Sequence, residues 1–300
     1  MPKLVVRGVF VPVTTPFDVH GELSLQAFQG NLQKLLQHDI AGVVVAGSNG
    51  EAALLDEEER VRLWEAARAA LPDGRLLIAG VGRESTRATI ALARRAAEAG
   101  ADAVLAVTPS YFHPFMSVEA LTAHFRAVAD ASPVPVLIYV MPRLTHVDMN
   151  AAVVMELSRH INIIGIKDSS GDVGKIGQIT QRVRSDFYVL SGAGGAFFPS
   201  LMMGASGGVL TLGNVAPAQT VELYCRHAAG DWSAARDLQA RLTLVNTLIT
   251  ARLGPAGVKA AMDMLGYYGG PVRPPLLPIA ENDRVMLRAA LADAGLLKES

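Results

Sequence analysis

A chain of 300 residues with 27 Lys+Arg against 28 Asp+Glu carries a formal charge of −1, and it holds no basic run dense enough to grip a phosphate backbone. Half of its residues are hydrophobic, yet charges and glycines break every apolar run well short of the roughly 18 residues that span a bilayer. Nucleic acid and membrane are therefore excluded as partners, and the single cysteine, Cys225, allows neither an internal disulfide nor a cysteine metal cluster.

The chain opens as MPKLVVRGVF, which enters strand-like sequence without a signal-peptide layout, so the expected location is the cytoplasm. From there a short apolar run rich in β-branched residues, a polar turn, an amphipathic helical stretch and a small-residue break recur in order. The apolar runs are GVFVPV (8–13), AGVVVAG (41–47), LLIAGVG (76–82), AVLAVTP (103–109), PVLIYVMP (135–142), IIGIKD (163–168), FYVLSGAG (187–194) and GGVLTLG (207–213). Segments such as LSLQAFQGNLQKLLQ, DEEERVRLWEAARAA and STRATIALARRAAEAG separate them, with apolar residues three and four apart.

Runs that are apolar throughout, instead of alternating, suit parallel strands covered on both faces. Eight strand–helix units are the number that closes a TIM (β/α)8 barrel, giving an α/β protein. After about residue 217 only helical patterns remain, in VELYCRHAAG, in the long stretch 231–254 and in DRVMLRAALADAGLL. The expected organisation is a barrel over residues 1–216 and a C-terminal helical region over 217–300. A doubly wound open sheet is the structural rival, but SGAGGAFF lacks the third glycine of a dinucleotide turn.

Catalytic groups of a barrel come from the C-terminal ends of its strands and the loops that follow. That rule selects Thr14 on strand 1, the GSNGE turn (47–51) after strand 2 and Tyr111 after strand 4. On the later strands it selects Tyr139, Lys167 and Gly192 of the SGAGG loop. Lys167 lies inside an otherwise apolar run. A buried lysine that loses its proton is a neutral amine able to attack a carbonyl, and Tyr139 on the neighbouring strand is placed to move protons. Two blander readings stand beside this one: Lys167 pairs with Asp168 or extends its head to water, and Tyr139 is a core residue with its hydroxyl satisfied. The glycines of GSNGE allow close backbone approach, so Ser48, Asn49 and Gly50 form a candidate cradle for a carboxylate, with a plain tight turn as the alternative. The histidines, at 20, 38, 113, 124, 146, 160 and 227, show no zinc-ligand spacing, and neither metal nor cofactor is expected.

PVTTPF, GSNGE, VTPSY, the Tyr-x-x-Pro of IYVMP, GIKD and SGAGG follow one another across the whole chain. In that order the chain resembles the dihydrodipicolinate synthase and N-acetylneuraminate lyase family of class I, lysine-dependent aldolases. The resemblance implies that Lys167 forms an imine with a 2-oxo acid such as pyruvate and that Tyr139 shuttles protons. It further implies that Ser48 and Asn49 hold the carboxylate, that Tyr111 reaches into the active site of a neighbouring subunit, and that the Val209 carbonyl lies beside the bound keto acid. Assembly as a homotetramer, a dimer of dimers, is implied as well.

Synthases of the family carry two threonines in the loop and an arginine two residues after the proline of Tyr-x-x-Pro. Here Ser48 and Asn49 fill the loop and Leu144 the arginine position, with Arg143 one place earlier, where a side chain points elsewhere. Together with GIKDSSGDVGKIG and GYYGGPVRPPL, these departures look most like 4-hydroxy-2-oxoglutarate aldolases, which release pyruvate and glyoxylate. The alternatives are condensation of pyruvate with aspartate semialdehyde, turnover of a 2-oxo-3-deoxy sugar acid, and a 2-oxo acid binding protein without turnover.

Overall fold

The computed structural model describes residues 4–297. Its strands are β1 (Gly8–Pro12), β2 (Gly42–Val45), β3 (Leu76–Gly80), β4 (Ala103–Val107), β5 (Val136–Val140), β6 (Ile163–Asp168), β7 (Tyr188–Ser191) and β8 (Gly207–Val209). Each pairs in parallel with the next, and β8 pairs back onto β1, so the sheet is a closed eight-stranded barrel. Successive strand residues face opposite sides. Phe10, Val44, Ile78, Leu105, Leu137 and Leu190 fill the inside, while Val9, Val43, Leu77, Val104 and Val189 pack outward under the helices. Two apolar faces per strand explain why the runs do not alternate in sequence.

The helices are α1 (Leu25–Leu35), α2 (Glu57–Ala70), α3 (Thr86–Glu98), α4 (Val118–Ala131), a single turn α5 (Pro142–Thr145), α6 (Ala151–Leu157), α7 (Val173–Thr180), α8 (Phe197–Met202), α9 (Pro217–Ala228), α10 (Trp232–Asn246), α11 (Gly254–Met264) and α12 (Glu281–Asp293). Local chemistry sets where they start. At α2 the Asp56 carboxylate accepts the Glu59 N–H while the Glu59 carboxylate accepts that of Asp56, so each satisfies a donor the helix leaves open.

The division expected at 216/217 falls at the start of α9, whose Leu223 joins the outer cluster of the barrel. Beyond it Leu242, Val245, Ile249, Val258 and Leu287 build a second core between α10, α11 and α12. The outermost residues of both expected units, 1–3 and 298–300, lie outside the described residues.

Two expected elements differ. The last strand does not reach residue 213: it ends at Val209, and Thr211–Asn214 forms a 3-10 turn whose Asn214 amide donates to the carbonyls of Pro12 and Thr211. Its first residue, Gly207, sits so close to β1 that a Cβ there would lie 2.0 Å from the Gly8 carbonyl oxygen. The long helix expected over 231–254 is interrupted by a π-helical turn at Thr247–Arg252. Thr247 and Thr250 turn their hydroxyls back onto the carbonyls of Thr243 and Asn246, and Arg143 donates to the carbonyls of Thr250 and Ala251 at 2.6 Å each. Carbonyls satisfied by side chains no longer need the regular ladder.

On α4, His124 is buried with its Nδ1 2.9 Å from the Thr86 hydroxyl, and burial lowers its pKa to about 4 against the weaker pull of Glu84. The unfolded chain therefore binds this proton more readily, and stability falls as pH drops from about 6.5 toward 4. About 2 kcal/mol is lost by pH 5 on this account. Urea unfolding at pH 7.5 and pH 5 checks it: His124→Asn loses that part of the pH dependence.

Candidate active site

The pairing of β5 with β6 sets Tyr139 beside Lys167, and the pairing of β6 with β7 sets Lys167 beside Leu190. Tyr139 belongs to the interior cluster, so Lys167, level with it, also points inward at the C-terminal end of the barrel. Both are buried, at 4% and 5% exposure. The Lys167 Nζ stands 3.9 Å from the centre of the Tyr139 ring, and the Tyr139 hydroxyl lies 3.3 Å from Ser48 Oγ. Burial by itself would raise the pKa of that phenol. The charge of Lys167 and hydrogen bonds with Ser48, Lys167 and Ser169 outweigh it and hold the phenol below its ordinary value.

Asp168 is not the partner of Lys167. Its carboxylate pairs with Lys175 Nζ at 2.7 Å and accepts the Ser170 N–H and hydroxyl, and Lys175 also reaches Asp148 at 2.7 Å. Burial disfavours the charge on Lys175, but the two carboxylates more than compensate and raise its pKa. This second lysine is thus a fixed cation that anchors the end of β6, while the Lys167 amine faces open space.

That space is a cavity of about 390 Å3 with Lys167, Tyr139, Ser48 and Asn49 in its wall. Gly192 lines it too, and glycine is required there: a Cβ would meet Ser169 Oγ at 1.9 Å and Lys167 Cε at 3.0 Å. Asn49 commits its side-chain nitrogen to Thr211 Oγ1, at 2.7 Å.

The remaining expected residues lie elsewhere. Thr14 donates its hydroxyl to Met262 Sδ at 3.3 Å and is not among the residues that line the cavity. Gly50 is buried behind the turn with its carbonyl held by Thr15 Oγ1 at 2.7 Å, and Val209 is buried in the interior cluster. Tyr111 is 77% exposed on the β4 loop next to exposed Phe112 and Phe115. Glu84 fixes that loop by accepting the N–H groups of Ser110 and Tyr111.

Sequence reasoning passed over Ser169, although it directly follows Lys167-Asp168, and over Thr211 and Asn246, and it set aside Arg143; all four line the cavity. Asn246 comes from α10, beyond the reach of the strand-end rule. Among the described residues no group of three or more His, Cys, Asp or Glu side chains is placed to hold a metal ion, and no helix is long and apolar enough to cross a membrane.

The chain and its fold are similar to those of known proteins. The Dihydrodipicolinate synthetase family matches residues 5–294. A 4-hydroxy-tetrahydrodipicolinate synthase of Methanothrix thermoacetophila is 36% identical over 95% of this chain and 96% of its own length. The one of Bartonella bacilliformis is 34% identical over 98% and 100%. Among solved structures, a chloride-inhibited dihydrodipicolinate synthase of Acinetobacter baumannii in complex with pyruvate superposes with a TM-score of 0.93 at 30% identity, covering 98% of this chain and all of that one.

Proposed function

The chain belongs to the Dihydrodipicolinate synthetase family, and from that premise we propose that it is a pyruvate-dependent class I aldolase whose Schiff base forms on Lys167. The observation that carries the reading is the triad of Lys167, Tyr139 and Ser48 at the wall of one cavity. In this mechanism the Lys167 amine adds to C2 of pyruvate, the carbinolamine oxygen leaves as water, and a protonated imine results. Loss of a C3 proton gives an enamine, whose C3 forms the new bond to an aldehyde carbon as the aldehyde oxygen takes up a proton. Tyr139 passes these protons, and Ser48 orients its hydroxyl. Backbone N–H groups of Ser48 and Asn49 hold the pyruvate carboxylate.

For the aldehyde, the named relatives support condensation with aspartate semialdehyde, the reaction of a 4-hydroxy-tetrahydrodipicolinate synthase. The reading drawn from the loop residues, cleavage of 4-hydroxy-2-oxoglutarate, takes second place, and one observation favours it. Leu144 stands in the cavity wall where the resemblance implies an arginine, and the Arg143 guanidinium is engaged by two backbone carbonyls. Parallel assays with pyruvate plus aspartate semialdehyde and with 4-hydroxy-2-oxoglutarate rank the two. Under the synthase reading kcat/KM is higher for the condensation, and Leu144→Arg changes it less than about threefold because the semialdehyde carboxylate is already held. A preference for 4-hydroxy-2-oxoglutarate, with Leu144→Arg raising semialdehyde use about tenfold or more, reverses the order.

The exposed aromatic group of Tyr111, Phe112 and Phe115 supports assembly with further copies of the chain, up to the homotetramer that the resemblance implies. Light scattering reads the mass of that assembly, and a monomer at micromolar concentration would remove Tyr111 from the active site of a neighbouring subunit.

A further inference from the structure

The turn that carries Ser48 is tied down from the far end of the chain. Glu51, directly after the Ser48–Gly50 turn, has φ 55°, in the left-handed region that a non-glycine residue keeps only when its surroundings hold it. Its carboxylate is fully buried. One oxygen pairs with Lys259 Nζ of α11 at 2.5 Å, and the other accepts the Arg273 N–H at 2.8 Å. Lys259 donates onward to the Pro271 carbonyl at 2.7 Å and sits 4.4 Å above the Phe17 ring, which the Arg273 guanidinium also covers at 4.2 Å. Arg273 closes the cluster with two bonds to Glu59, at 2.6 and 2.7 Å.

Bulk stability is a poor explanation for such a pair. Taking two charges out of water costs about as much as their attraction returns, and apolar residues of equal volume do as well or better. An ion pair does differ from an apolar contact in fixing direction and distance. What this one fixes is the turn whose Ser48 Oγ lies 3.3 Å from the Tyr139 hydroxyl. The two other anchors of the turn, Thr15 on the Gly50 carbonyl and Thr211 on the Asn49 amide, come from the barrel itself.

We propose that Glu51 and Lys259 are a positioning pair for the reaction: the buried ion pair holds the Ser48 turn in register with Tyr139, which makes the C-terminal helices part of the catalytic apparatus. Neither residue touches substrate. The inference rests on the aldolase reading, so the test separates the two. Lys259→Met and Glu51→Gln, the latter keeping an acceptor for the Arg273 N–H, are compared with wild type and with Ser48→Ala. Borohydride with pyruvate counts the molecules able to form the imine, and kcat is then expressed per trapped site.

A pair that merely supports the fold lowers the trapped fraction and leaves kcat per trapped site alone. A positioning pair does the opposite. Expected are a trapped fraction close to wild type in at least one of the two variants, kcat per trapped site down at least about tenfold, and no further loss when Ser48→Ala is added. Values of kcat per trapped site within twofold of wild type in the folded variants overturn the proposal, as does failure of both variants to fold, which assigns the pair to the fold. Failure of the wild type to trap pyruvate overturns the aldolase reading and this inference with it.

Discussion

Replacing Lys167 by arginine is expected to abolish turnover, by about 10^4-fold or more, while the protein stays folded. An imine requires a nitrogen that can lose its proton and then two bonds to hydrogen, and a guanidinium stays charged and does neither. Arginine keeps the cation beside Tyr139, and the cavity next to the amine has room for the larger head group. Loss of activity in this variant therefore reports the missing nucleophile more than a missing charge. Steady-state assays with circular dichroism alongside are sufficient, and activity within tenfold of wild type would remove Lys167 from the mechanism.

Tyr139→Phe is expected to slow turnover by about 10^2 to 10^4-fold, the range for loss of a positioned proton-transfer group, while imine trapping with pyruvate persists at a reduced rate. The phenol hydroxyl is the atom that meets Ser48 Oγ, and its pKa is held below the ordinary value against the effect of burial, both of which suit proton transfer near neutrality. Phenylalanine keeps the ring and the packing of the interior cluster. An unchanged rate of the carbon–carbon step in single-turnover kinetics would contradict the role. Ser48→Ala is expected to show a smaller loss of the same kind, because it removes the partner of the hydroxyl and leaves the hydroxyl itself.

The barrel was legible because its strands bear apolar residues on both faces, so each appeared as an unbroken run such as VLIYV at β5. Lys167 and Tyr139 were legible for the complementary reason: a polar head inside such a run needs a purpose. The breaks were harder to see. The end of β8 depends on Asn214 reaching back to Pro12, and the π-helical turn depends on Arg143 of the distant α5. The partner of Thr14 was not legible, because strand position fixes where a residue begins and not where its hydroxyl finds an acceptor, here Met262 of α11. Glu51 was read only as the last letter of GSNGE, since its partners Lys259 and Arg273 lie at the other end of the sequence, and local pattern carries no signal for a pair so far apart.

The mechanism stands on a covalent bond between Lys167 and a 2-oxo acid, which is read from the mass of the whole enzyme and of its peptides after incubation with pyruvate and borohydride. Reduction converts any imine to a stable secondary amine. One pyruvate-derived addition per chain is expected, located on the peptide that contains Lys167 and absent from Lys167→Arg. An unmodified chain, or a label carried by any other lysine, would contradict it.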